Sequence, residues 1–75
     1  MEDGIYRAKY IGKTTNILNN GDIYKISVEN GKYTYNFEIL QNLTKKVSVE
    51  ITVNYSSQIS IYNNWKDVIK DDLLG

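Results

Sequence analysis

The sequence predicts a mainly β fold: a small antiparallel barrel or strongly curled sheet of four to five strands, with one helical segment near the C-terminus. Three observations carry that reading. Asn30-Gly31 joins two alternating runs between Ile23 and Leu40, and Asn-Gly between alternating apolar residues is the strongest short-range hairpin signal. Val47, Val49, Ile51, Val53 and Tyr55 then alternate with Ser48, Glu50, Thr52 and Asn54, as a strand with one buried side requires. Finally, Ser56-Ser57 offers an N-cap to a tail whose apolar residues fall at helical spacing. Seventy-five residues make a single domain, 1–75, near the lower end of what folds without staples.

Taken in order, residues 1–4 read as a frayed lead-in. Ile5 to Ile11 alternates and ends at Gly12, giving strand one. The polar stretch from Lys13 to Gly21 is a loop in which Ile17 and Leu18 tuck back onto the core, and Asn19-Asn20-Gly21-Asp22 is a turn cluster. A two-residue loop at Asn30-Gly31 would set Val28 against Tyr33, Ile26 against Tyr35, Tyr24 against Phe37 and Ile23 against Glu38. A slip of one residue would turn every apolar side chain to the wrong face. Gln41 to Lys45 connects to strand four, Val47 to Tyr55.

The tail has two readings. Ile61, Tyr62, Trp65, Val68 and Ile69 mark one helical face from Ser57 onward. Alternatively, a short helical turn from Ser57 to Asn64 precedes a fifth strand from Trp65 to Ile69. Asn63-Asn64 in the interior and Asp71-Asp72 at the end disfavour a long helix.

Composition excludes much chemistry. The chain has no Cys and no His, so it offers no disulfide, no thiolate or imidazole metal site and no Cys- or His-based catalysis. No cofactor is expected. Small secreted domains lean on disulfides, so a cytoplasmic location is expected. The acidic start, Met1-Glu2-Asp3-Gly4, predicts no signal peptide, and no apolar run approaches the roughly 20 residues of a membrane span. Nine basic and nine acidic residues cancel, which disfavours binding driven by phosphate contacts. Asn, Lys, Ile and Tyr, all AT-rich codons, supply 34 of the 75 residues and hint at a low-GC bacterium or its phages.

Glu29, Glu38 and Glu50 share the polar sheet face and could imitate an acid/base pair, but a solvated strand face is the stronger reading. No phosphate-binding glycine loop appears. Tyr33, Tyr35 and Phe37 invite a base-stacking role, yet they share a face with Tyr24, Ile26 and Val28 and are expected in the core. Trp65 reads more readily as a lid over the core than as a ligand platform.

The order of strand, long loop, three strands, helical turn and closing strand resembles an SH3-like barrel. Ala8-Lys9-Tyr10 followed by Leu18-Asn19-Asn20-Gly21-Asp22 is similar to the SH3 opening. Tyr10-Ile11-Gly12-Lys13-Thr14 and Ser56-Ser57 through Asn64-Trp65 resemble small SH3-like proteins of phages and mobile elements of Firmicutes. The resemblance implies a protein-binding module. It does not extend to polyproline recognition, because Gly12 replaces a groove tyrosine and the loop from Lys13 to Asn20 has no acidic residue.

The expected function is therefore a non-catalytic protein-interaction module, a small phage or mobile-element protein acting on a host or phage protein. Its expected contact residues are Tyr6, Tyr10, Tyr62 and Trp65, the aromatics the hairpin core least requires. The alternative is a nucleic-acid-binding barrel using Lys9, Lys25, Lys45 and Lys46 with exposed tyrosines. A third possibility is a homo-oligomer joined edge to edge through strand one or strand four.

Overall fold

The computed structural model describes residues 1–71, running β1 (Gly4–Tyr10), β2 (Ile23–Asn30), β3 (Tyr35–Asn42), β4 (Val47–Tyr55), α1 (Gln58–Asn64) and β5 (Trp65–Lys70). All five strands pair antiparallel in one sheet of order β4-β3-β2-β1-β5. The sheet curls but does not close into a barrel, because β4 and β5 remain its two edges. The seven-residue α1 touches both of them, so a helix rather than a ladder spans the gap. β1, expected at an edge, is internal, between β2 and β5.

The curl has a local cause. Lys25 and Ile26 are consecutive on β2, yet their β3 partners are Gln41 and Ile39, leaving Leu40 between. Across from that gap β4 holds two residues, Val49 and Glu50, between the partners Ser48 and Ile51. Each strand outward along this line thus carries one more residue than the last, and such bulges bend a sheet and increase its twist.

The hairpin register departs from the expected one by four residues. Val28 faces Phe37, Ile26 faces Ile39 and Asn30 faces Tyr35, so the loop is 31–34, closed by a Gly31 N–H to Thr34 carbonyl bond of 2.8 Å. Alternation with period two forbids odd slips only, because an even slip leaves every side chain on its own face. The four-residue slip buries Phe37 and Ile39 completely in place of Tyr33 and Tyr35, whose hydroxyls would need partners inside. Tyr33 is left on the loop, not in the core, and Glu38 stands opposite Ser27 instead of Ile23.

Asn30, displaced from the turn, ties down the N-terminus. Its backbone N–H and its side-chain amide both donate to the Asp3 carboxylate, and the amide also reaches the Met1 carbonyl. Glu2 pairs with Lys70 at 2.7 Å. Residues 1–4 are therefore docked instead of frayed. In the long loop, Leu18 is buried as expected while Ile17 is exposed.

The tail follows the second of its two readings. Ser57 caps α1, its Oγ accepting from the Ser60 N–H at 3.2 Å, and the helix buries Ile61 alone. β5 then pairs with β1 around a bulge in which Asp67 and Val68 oppose Ala8. Asp67 adopts φ 53 there, a left-handed conformation that Asp tolerates better than most residues.

Trp65, the first residue of β5, is the centre of the core at 1 % exposure. Its ring lies edge-on to Tyr10 and Tyr24, with centroids 5.1 and 5.7 Å away. Aromatic pairs in this geometry add stability beyond their area.

Candidate functional site

Burial separates the expected contact residues. Tyr6, Tyr10 and Trp65 are all buried, so they cannot present rings to a partner; only Tyr62, at 52 % exposure, stays on the surface. The reason lies in the position of β1. Flanked by β2 and β5, it turns Tyr6, Ala8 and Tyr10 into the core, where Trp65, on the edge strand β5, packs against Tyr10.

The buried tyrosines also spend their hydroxyls internally. Tyr6 donates to the Glu2 carbonyl at 2.8 Å and Tyr10 to the Lys13 carbonyl at 2.7 Å. Tyr24 accepts from the Asn19 N–H and Tyr55 from the Trp65 indole, both at 2.8 Å. Burial of the Tyr55 phenol raises its pKa above the ordinary tyrosine value. The first three bonds stitch a connecting or terminal segment to the core, and the fourth joins the two edge strands, β4 and β5, to each other.

The remaining tyrosines behave differently. Tyr33 is 79 % exposed on the 31–34 loop, and Tyr62 projects from α1. Neither their hydroxyls nor that of half-buried Tyr35 forms a hydrogen bond among the described residues. Tyr33 and Tyr35 border an open depression of about 600 Å³ that runs from Asn30 across to Ser56, Ser57 and Gln58. On a helix, residues three and four apart share a side, so Gln58, Ile59 and Tyr62 carry that surface along α1. Ile59 is itself 76 % exposed. Lys32 adds the charge, its Nζ lying 5.4 Å from the centroid of the Tyr33 ring, within cation–π range.

This surface was hidden from sequence reasoning by the hairpin register. With a two-residue loop Tyr33 belongs to the core; with a four-residue loop it leads the depression. Ile59 carried a signal of its own, since a helix beginning at Ser57 and burying Ile61 must turn Ile59 outward.

Two lysines of the nucleic-acid alternative lie far from the exposed Tyr33. Lys45 and Lys46 sit in the β3–β4 turn, at the opposite end of β3 from Tyr33, and eight strand residues span roughly 20 Å. Lys45 is engaged with Asp22 at 3.5 Å. Asp22 also accepts from Asn42 Nδ2 at 2.8 Å, and that bond, with Asn19 and Lys45 adding to it, lowers the Asp22 pKa.

Elsewhere, Ser27, Glu29, Asn36, Glu38, Thr52 and Asn54 line a groove on the outer face of the sheet. Among the described residues no group of three or more His, Cys, Asp or Glu is placed to hold a metal ion, and no helix is long and apolar enough to cross a membrane. Compared with known proteins, the chain matches no family model, no curated protein and no solved structure.

Proposed function

We propose that the chain is a non-catalytic protein-interaction module that grips its partner with the surface of Tyr33, Tyr35, Ile59 and Tyr62. The observation that carries this reading is the exposure of Tyr33 and Ile59 at more than three quarters of their area, on two elements that meet at one depression. Aromatic side chains dominate the binding energy of protein interfaces. A tyrosine with an unspent hydroxyl brings apolar area and a polar handle together. The reading of a small phage or mobile-element protein directed at a host or phage protein rests on the SH3-like resemblance of the sequence.

The experiment is partner capture with the wild type and with Tyr33→Ala/Tyr62→Ala. The proposal expects the variant to stay folded and to lose the partner. Normal capture by the folded variant would remove this surface from the account. A salt titration against single- and double-stranded DNA and RNA tests the class of partner, since binding that weakens steeply with salt is the mark of counterion release and would favour the nucleic-acid alternative.

A further inference from the structure

The geometry points to a second copy of this chain as the occupant of the outer edge of β4, paired antiparallel so that two sheets become one. An edge strand presents a row of unpaired N–H and C=O groups, and proteins that remain single blunt such edges with short strands, bulges and charge. β5 is guarded in this way: it has six residues, a bulge at Asp67–Val68, and Lys66, Asp67 and Lys70 along its length. β4 is not. It has nine residues, of which Glu50 is the one charged member, and among the described residues nothing pairs with its outer side. Its inward residues Val49, Ile51 and Val53 are only partly buried, and Val47 is exposed.

A second copy fits this edge better than an arbitrary strand for two reasons. Antiparallel pairing about a two-fold axis normal to the sheet keeps the inward faces of both copies on one side. Every even register then sets β-branched residues against β-branched or aromatic ones, and any register centred away from Glu50 keeps the two glutamates apart. In addition the chain has no net charge, so no long-range repulsion opposes self-association. The dyad extends cover over the half-buried valines and isoleucine that a single curled sheet leaves at its rim.

The test uses the whole chain. Light scattering from micromolar to millimolar concentration should show a dimer whose fraction grows with concentration. Glu50→Lys/Thr52→Lys/Asn54→Lys changes exposed positions only and sets lysines opposite lysines in the even registers centred on Ile51, Thr52 or Val53. Its dimer should be about tenfold weaker or more, at a few tenths to one kcal/mol for each like-charge pair. Amide exchange supplies a readout that needs no variant: β4 amides of the wild type should become slower to exchange as concentration rises, and β5 amides should not. A wild type that stays monomeric throughout overturns the proposal. So does a dimer indifferent to the triple substitution, or one whose concentration-dependent protection falls on β5.

Discussion

Four of the seven tyrosines are buried in the core, Tyr35 is half-buried against it and two are exposed, and the fate of the hydroxyl divides them more clearly than the ring. Tyr6, Tyr10, Tyr24 and Tyr55 each close an internal hydrogen bond, so their rings and hydroxyls are both consumed in holding the sheet to its connecting and terminal segments and its two edge strands to each other. Tyr33, Tyr35 and Tyr62 gather around the hairpin loop and α1 with their hydroxyls unspent. The same residue type is thus structural in one region and available in the other. A contact surface cannot be chosen from the aromatics merely because they lie outside a hairpin.

The largest effect that sharpens this contrast is expected at Trp65. Trp65→Ala should cost about 3–5 kcal/mol, a large part of the about 5–15 kcal/mol that holds a small domain together, and denaturant titration should find the variant close to unfolded. It follows that partner loss in a Trp65 or Tyr10 variant would report on folding and not on contact. Next, Tyr55→Phe removes the acceptor of the buried Trp65 indole and should cost about 1–3 kcal/mol. Tyr33→Phe should leave the denaturation midpoint where it is. Equal costs for these two variants would break the comparison.

The pH dependence is a further distinction. The Asp22 pKa is lowered in the fold, chiefly by Asn42, so the stabilisation is fully present above the ordinary aspartate value of about 3.9. It is lost as pH falls below that value and through the lower folded one. Asn42→Ala should flatten this acid limb of the melting temperature. The Tyr55 pKa is raised, so its contribution is complete below about pH 10 and disappears as pH climbs through the higher folded value. The smallest effect belongs to the outer surface: Tyr33→Ala and Tyr62→Ala should each change stability by no more than about 0.5 kcal/mol.

Much of the fold was legible because local signals agreed with one another. β4 follows its alternation of β-branched residues over its full span, and Ser57 caps the helix that its position announces. The helix ends at Asn64 because Trp65 is worth more as the centre of the core on β5 than as one more residue of a helical face. What alternation could not convey was the loop length at Asn30-Gly31. Neither residue adopts the positive φ that a two-residue turn needs, since Asn30 is held by Asp3 and Phe37 outcompetes Tyr33 for the interior. That one even slip put Tyr33 outside. Tyr6 and Tyr10 are buried for a different reason: β1 becomes internal only through β5, a pairing with no local signature.

The most direct test of the division is chemical modification of tyrosine in the native protein, for instance nitration mapped by mass spectrometry. Tyr33 and Tyr62 should react first and Tyr35 after them, while Tyr6, Tyr10, Tyr24 and Tyr55 stay protected until the protein is unfolded. Modification of Tyr6 or Tyr10 as fast as Tyr33 would contradict the account.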